Sequence, residues 1–307
     1  MKVVVLTGGV GGAKLVLGLM RALPPGGVTA IVNTGDDFTH LGLAISPDID
    51  TLLYTLAGKA NAAQGWGREG ETWSFLAALR SLGGEDWFAL GDGDLALHVL
   101  RTARRVAGEP LSAITTDFAR AWEIDTRILP MSDDQVATIV ETGEGPLAFQ
   151  RYFVERRCEP SVWGIRFEGA ETALPAPGVR EAIRAADAIL IAPSNPFLSI
   201  DPLLAVPGLR ATLGEASAPV VAVSPIVGGK AVKGPTAKLM AELGLEVSNA
   251  SIAAHYDGLI DGLVVHDGDD EPEGVRIART DTMMCDDRDR LRVADAALML
   301  AASIGSA

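Results

Sequence analysis

The sequence predicts an α/β fold, a Rossmann-like doubly wound parallel sheet with an inserted α+β lobe. A continuous apolar run at 3–6 is followed by a glycine-rich turn, a helix and a second apolar run at 28–32. Further apolar runs at 187–192, 220–223 and 262–266 end in turn-forming or polar residues. Unbroken apolar runs are typical of strands buried on both faces of a parallel sheet. The order of strand, glycine turn, helix and strand is that of a doubly wound nucleotide-binding unit, whose ligands bind at the carboxyl ends of the strands.

Helices are predicted between these strands. After the glycines, Leu15, Leu19 and Leu23 recur at helical spacing, and the prolines and glycines at 24–27 end this helix. Another helical segment is predicted around 237–243, ahead of the last apolar run. This alternation of strands and helices is the pattern of a sheet covered by helices on both faces.

Residues 61–175 interrupt the alternation. They contain all five tryptophans of the chain. The pattern predicts helices at 95–106 and 111–122 and β-rich segments at 136–141, 149–155 and 162–168. We therefore predict a nucleotide-binding core formed by residues 1–60 and 176–307, capped at the sheet edge by an inserted lobe of residues 61–175.

The 307 residues include 40 Asp and Glu but only 26 Lys and Arg, a net charge of −14. Such a chain repels phosphates, which excludes broad binding to nucleic acid or to an anionic membrane. No secretory signal or run of 18 apolar residues is present, and Cys158 and Cys285 lack metal-type spacing. We expect a cytoplasmic protein with reduced thiols. The acids from 267 to 289 are interpreted as solvated surface.

The glycines at 8–12 directly follow the first strand. They allow a phosphate to approach the N–H groups at the positive end of the helix. The dinucleotide fingerprint is incomplete because it needs glycine where Lys14 stands, and the P-loop is incomplete because no Ser or Thr follows that lysine. We predict that Gly9, Gly11, Gly12 and Lys14 contact a phosphate or ribose, with a ligand-free tight turn as the alternative.

Aspartates occur in pairs at four predicted turns or helix starts. The pairs are Asp36 and Asp37, Asp48 and Asp50, Asp92 and Asp94, and Asp133 and Asp134. A Mg²⁺ ion in phosphoryl chemistry takes one or two carboxylates together with phosphate oxygens and water. The pairs therefore favour a Mg²⁺ site, although Asp is also common in caps and turns. A bound Mg²⁺ would locally reverse the negative field of the protein and admit an anionic ligand.

Four basic or titratable side chains could meet such a ligand. His98 and Arg101 share a helix face at i and i+3, beside Asp92 and Asp94 on the same segment, unless that face is merely solvated. In the glycine-rich loop 224–235, Lys230 and Lys233 would offer cations to a diphosphate, and a plain exposed loop is the alternative.

An ordered set of motifs resembles the 2-phospho-L-lactate transferase family. The similarity runs from the first strand to about residue 270, and single motifs are weak whereas the ordered set is specific. The motifs are the glycine turn at 8–13, Asn33-Thr34-Gly35-Asp36-Asp37, the segment 46–51, Gly65-Trp66-Gly67, Gly91-Asp92-Gly93-Asp94 through His98, Ser132-Asp133-Asp134, the segment 192–196 and the segment 261–266.

The resemblance implies a Mg²⁺-dependent enzyme of coenzyme F(420) biosynthesis, and relatives suggest a homodimer. It would move a 2-phospholactate, phosphoenolpyruvate or 3-phosphoglycerate group from a guanosine diphosphate-linked donor to the terminal ribityl hydroxyl of the deazaflavin FO, releasing GMP. Asp36 and Asp50 would be catalytic, and Asp36, Asp48 and Asp50 would lie near the metal. Other residues expected to bind substrate are Asn33, Gly35, Asp37, Trp66, Trp87, Asp92, Asp94, His98, Arg101, Ser194, Asn195, Gly228, Gly229 and Lys230.

One position departs from the family pattern. Members often carry Gly-Asp-Arg-Asp where this chain has Gly91-Asp92-Gly93-Asp94, and we hypothesise that Arg101 replaces the missing cation. Two other functions were weighed: a nucleotide-sugar-binding regulator of the gluconeogenesis-factor type, and an NAD-dependent dehydrogenase. The Gly65-Trp66-Gly67 segment favours the transferase over the regulator, and Lys14 weakens the dehydrogenase.

Overall fold

The computed structural model describes residues 1–231 and 234–306. Its strands are β1 (Val3–Thr7), β2 (Val28–Val32), β3 (Phe38–His40), β4 (Leu43–Ile45), β5 (Arg127–Pro130), β6 (Ala137–Thr142), β7 (Gly145–Ala148), β8 (Val162–Glu168), β9 (Ala188–Ile191), β10 (Val220–Val223), β11 (Ile226–Val227), β12 (Lys230–Ala231), β13 (Gly262–His266) and β14 (Arg276–Thr280).

The α-helices are α1 (Gly9–Ala22), α2 (Pro47–Leu56), α3 (Ser74–Ser81), α4 (Asp92–Val106), α5 (Leu111–Ala121), α6 (Val179–Arg184), α7 (Asp201–Ala205), α8 (Leu209–Gly214), α9 (Thr236–Glu242), α10 (Asn249–His255) and α11 (Asp287–Gly305). Two π-helical turns and one 3₁₀ turn are also present: Arg151–Glu155, Pro196–Ile200 and Ala170–Thr172. None of the helices in the described ranges has both the length and the apolarity needed to cross a bilayer.

Seven parallel strands form the central sheet in the order β14-β13-β10-β9-β1-β2-β5. β1 lies in the middle, where Val3 pairs with Val28 on one side and with Ala188 on the other. The chain first builds outward from β1 through β2 to β5, and then returns to β9 and builds in the opposite direction. This is the Rossmann order with one added strand, so the predicted α/β fold class is confirmed. The reversal leaves a crevice between the carboxyl ends of β1 and β9.

Alternate residues of β1 enter two different cores. Val3 and Val5 pack against α1, α2 and α11 on one face of the sheet. Val4 and Leu6 pack on the other face, which is covered by helices α6 to α10 and by the antiparallel sheet β7-β6-β8. Both faces of the strands are therefore buried, as their unbroken apolar sequences predict.

Three details differ from the expected elements. The first helix begins at Gly9, so the glycine turn forms its first turn instead of preceding it. The segment 149–155 is helical instead of a strand. Phe149 and Phe153, four residues apart, lie on one side of it and stack with ring centroids 5.3 Å apart. The division of the chain into a core and a lobe at 61–175 stays a prediction, but β5 lies inside that lobe range and pairs with β2 in the central sheet.

Candidate active site

A cavity of about 950 Å³ opens at the carboxyl edge of the sheet, in the crevice between β1 and β9. This is the place at which ligands of doubly wound sheets bind. Many of the residues expected from the sequence line it: Gly9, Gly11, Lys14, Asp36, Asp48, Asp50, Trp66, Trp87, Asp94, His98, Ser194 and Asn195. The fold thus brings together side chains that are far apart in the sequence.

The floor of the cavity is the junction of β1 with α1. Gly9 has φ +64°, which favours glycine, and a Cβ at Gly12 would collide with the Thr7 hydroxyl. The Ser194 hydroxyl donates to the Gly8 carbonyl at 2.7 Å and accepts the Gly8 N–H at 3.2 Å. The loops after β1 and β9 are therefore tied together, and the positive end of α1 faces the cavity.

Asp48 is fixed beside this junction by two donors. Its Oδ1 accepts the Gly9 N–H at 2.7 Å, and its Oδ2 accepts the Asn33 side-chain amide at 3.0 Å. The oxygen of that amide accepts the Gly35 N–H at 2.8 Å. Asn33 and Gly35 were expected to contact substrate, but they lie behind the cavity wall and hold Asp48 in place.

Asp36 is the second carboxylate of the floor, and its buried Oδ1 has no hydrogen-bond partner. Burial raises the pKa of Asp36 well above its usual range, and the nearby charge of Asp48 raises it further. Burial also raises the pKa of Asp48, to about 6, although the bonds from Asn33 and Gly9 oppose the shift. Two adjacent buried carboxylates of this kind favour either protons or a cation between them.

A divalent cation fits Asp36 and Asp48. Within residues 1–231 and 234–306, no three side chains of His, Cys, Asp or Glu are grouped to hold a metal ion. Mg²⁺ needs fewer, because it is often held by one or two carboxylates plus water and substrate phosphate. The unpartnered oxygen of Asp36 is available for this role. Asp50, the third expected ligand, has both oxygens bound by Arg101 instead.

Asp50 belongs to a polar network between α2 and α4. Arg101 is 1% exposed and donates to both carboxylate oxygens of Asp50, with Nη1 3.1 Å from Oδ2. The same Nη1 lies 3.3 Å from Nδ1 of His98. Nε2 of His98 lies 3.2 Å from Asp94, which accepts a hydrogen bond from the Tyr54 hydroxyl. All except Arg101 line the cavity, so Arg101 supports Asp50 from behind.

His98 lies between Arg101 and Asp94. An arginine side chain has donors only, so Nδ1 of His98 is the acceptor toward Arg101, and Nε2 faces Asp94. Burial alone would raise the pKa of Asp94, but His98 and Tyr54 lower it below the ordinary value. Asp94 is therefore a carboxylate at neutral pH, fixed between an imidazole and a phenol.

Another part of the cavity wall is apolar and aromatic. It is lined by Trp66, Trp87, Phe88, Phe149 and Phe153. Trp66 is 51% exposed, whereas Trp87 packs against Phe88 and is covered by the Arg151 guanidinium, 4.3 Å from the ring centroid. One cavity thus combines an acidic floor with a wall suited to a flat ring.

Several expected site residues have structural partners instead. Asp37 accepts from the Ser46 hydroxyl at 2.7 Å, and burial raises its pKa to about 8. Asp92 accepts from Thr72, Ser74 and Phe75, at the start of α3. The Asp92 carboxylate holds the backbone at the start of α3, and neither Asp37 nor Asp92 borders the cavity.

The glycine-rich loop 224–235 contributes to the cavity through its two ends, with Ser224, Pro225, Val227, Gly234 and Pro235, but not through the three residues expected from the sequence. The N–H groups of Gly228 and Gly229 donate to Asp269 at 3.0 Å, and Lys230 is exposed. These three residues do not line the cavity. Lys233 lies outside the described residues. Asp269 was interpreted as solvated surface, but its charge is used to close this turn.

The cavity wall also contains residues that were not predicted, and two parts of it are informative. Tyr54 lies four residues after Asp50 on α2, and this spacing is the signal that could have identified it. The segment 282–285 also lines the cavity, although it lies in the acidic run interpreted as surface. Lys14 Nζ donates to the Met284 carbonyl at 2.6 Å and joins this segment to α1. Nothing in the sequence spacing indicates that contact.

Known proteins resemble the chain over almost its whole length. A family model described as 2-phospho-L-lactate transferase CofD matches residues 3–302. A phosphoenolpyruvate transferase from Streptomyces griseus is 45% identical over 316 residues, covering 99% of each chain. Proteins of the same name from Thermobifida fusca and Mycolicibacterium smegmatis are 41% and 39% identical, and each alignment covers more than nine-tenths of both chains.

Among solved structures, a protein of the UPF0052 family from Bacillus halodurans has a similar fold. The TM-score is 0.64, with 97% of this chain and 98% of that chain covered at 19% sequence identity. At that identity the likeness concerns the fold alone.

Proposed function

Because the chain belongs to the 2-phospho-L-lactate transferase family, we propose that it transfers a phosphoenolpyruvyl group from a guanosine diphosphate-linked donor to FO. The acceptor atom is the terminal ribityl hydroxyl oxygen, GMP is released, and the reaction belongs to coenzyme F(420) biosynthesis. We propose phosphoenolpyruvate as the transferred group, in place of 2-phospholactate or 3-phosphoglycerate, because relatives up to 46% identical are named phosphoenolpyruvate transferases.

The observation that carries this proposal is the division of one cavity into two chemically different halves. The floor, with Asp36, Asp48 and the start of α1, suits a diphosphate and its cation. The aromatic wall, with Trp66 and Trp87, suits the planar deazaflavin. Asp50 lines the same cavity and would be available to the group that is transferred.

The chain's own residues bind and orient the two substrates. The first turn of α1 and Lys14 would contact the diphosphate, and Ser194 and Asn195 would contact the guanosine side of the donor. Asp36 and Asp48 would hold Mg²⁺, which supplies neutralisation of the negative charge that develops on the phosphates. Such reactions depend mainly on positioning and charge stabilisation.

The proposed transfer forms one P–O bond and breaks another at the same phosphorus atom. The ribityl oxygen of FO forms a bond to the phosphorus that carries the enolpyruvyl ester, and the P–O bond to the GMP phosphate breaks. GMP leaves with that electron pair. Asp50, held by Arg101, accepts the hydroxyl proton. Asp36, on the acidic floor, takes part through the Mg²⁺ that it would hold.

The test combines FO, Mg²⁺, the protein and each of three guanosine diphosphate-linked donors, carrying phosphoenolpyruvate, 2-phospholactate or 3-phosphoglycerate. We expect an FO phosphodiester by mass spectrometry, formed in equal amount with GMP and fastest with the first donor. Asp36→Asn should require more Mg²⁺, whereas the control Asp86→Asn, at a surface pair with Arg80, should behave like the wild type. Absence of product with all three donors would overturn the proposal.

A further inference from the structure

The loop between α2 and α3 carries part of the aromatic wall. We call residues 59–72 the Trp66 loop. Its base is closed by a hydrogen bond from the Glu69 N–H to the Lys59 carbonyl at 2.7 Å and by another from the Asn61 N–H to the Gly67 carbonyl at 3.0 Å. Its tip, residues 64–67, lines the cavity. The loop is therefore a closed unit whose orientation decides where Trp66 lies.

A buried carboxylate joins this loop to the start of α4. The Glu71 side chain is 5% exposed. Its Oε2 accepts the Gly93 N–H at 2.6 Å, and its Oε1 accepts from Arg68 at 3.2 Å. A second bond runs from the Asp92 N–H to the Thr72 carbonyl at 2.9 Å. A negative charge at this end of α4 is favoured by the helix dipole.

Two glycines provide the space for this contact. A Cβ at Gly91 would collide with the Glu71 carboxyl group, and a Cβ at Gly93 would collide with the Arg68 guanidinium. The cation over position 93 is therefore Arg68. Arg101, to which the sequence hypothesis gave this role, is buried against Asp50 and does not border the cavity.

α4 also carries Asp94 and His98, which line the same cavity. We infer that Glu71 is a positioning residue: it fixes the Trp66 loop to the start of α4, so that Trp66 and Asp94 keep one separation around the acceptor. This role rests on the proposed function, since the acceptor is taken to be the planar substrate. It predicts that loss of the contact weakens acceptor binding and leaves donor binding unchanged.

Three variants test the inference through the transfer reaction. Glu71→Ala removes the carboxylate, and Gly91→Ala displaces it because the new Cβ would collide with it. Each should raise the KM for FO about tenfold, the factor that corresponds to about 1.4 kcal/mol. The KM for the donor and kcat should change less than about twofold. Glu71→Gln should recover most of the loss, because its amide oxygen still accepts the Gly93 N–H.

Hydrogen exchange of the Trp66 loop gives a readout that needs no activity. Amides of 59–72 should exchange faster in Glu71→Ala and Gly91→Ala, and near the wild-type rate in Glu71→Gln. Unchanged exchange in Glu71→Ala and Gly91→Ala, an equal rise of both KM values, or no recovery in Glu71→Gln would overturn the inference. A wild-type protein that lacks transferase activity but shows the exchange pattern would refute the proposed function and retain the contact between loop and helix.

Discussion

Replacing Arg101 with methionine tests whether Asp50 is held as a buried charged partner. Among the described residues Arg101 is one of the largest fully buried side chains, and Asp50 is 5% exposed. The substitution removes both hydrogen bonds to the carboxylate and the bond to the Ala44 carbonyl, and it keeps most of the aliphatic volume. Removing one member of a buried ion pair costs about 3–5 kcal/mol, because the remaining charge is buried without compensation. We expect a loss of this size in the free energy of unfolding.

Arg120→Met is the matched control. Arg120 is 74% exposed and pairs with Asp117 at 2.8 Å, so its loss should cost less than about 1 kcal/mol. Urea unfolding followed by tryptophan fluorescence measures both variants. Adding Asp50→Leu to Arg101→Met should restore much of the lost stability, since no buried charge is left. Equal losses in Arg101→Met and Arg120→Met, or a double variant as unstable as Arg101→Met, would refute the reasoning.

Two further predictions concern the same network. Asp50→Asn should lower kcat at least about 100-fold, the contribution of a positioned proton acceptor, with an unchanged circular dichroism spectrum; wild-type turnover would move the catalytic centre elsewhere. The pKa of Asp94 is lower in the folded protein than in the unfolded chain, so the unfolded chain binds the proton first as the pH falls. The stabilising contribution of Asp94 is therefore present above about pH 4 and is lost on acidification. Asp94→Asn should therefore show a shallower loss of unfolding free energy between pH 6 and pH 3, and parallel curves for the two proteins would contradict this.

The sequence predicts the sheet well because its strands are buried on both faces. Their apolar runs have no second interpretation once a glycine turn and a helix follow the first of them. β5 is the exception: Arg127–Pro130 is short, ends in proline, and lies between segments that pack elsewhere. Its place beside β2 is decided by tertiary pairing, which local sequence does not encode.

The paired aspartates show how far the site can be predicted from the sequence. All four pairs have the same local signal, but only tertiary contacts separate their roles. Asp48 faces the cavity floor, whereas Asp92 caps the start of α3. The contact between Glu71 and the start of α4 was not predicted for a similar reason, since its partner Gly93 is 22 residues away. Turn residues and ligand residues of one type become distinguishable only when their neighbours are known.

The closure of the cavity between β1 and β9 also has a consequence for how the protein folds. Gly8 and Ser194 are 186 residues apart, and Lys14 and Met284 are 270 residues apart. Contacts of such separation form late, because the entropy of closing long loops must be overcome before they stabilise the chain. Intermediates with native helices can precede them. Recovery of secondary structure during refolding should thus run ahead of recovery of substrate binding, since the cavity has no complete wall until residues 282–285 reach α1.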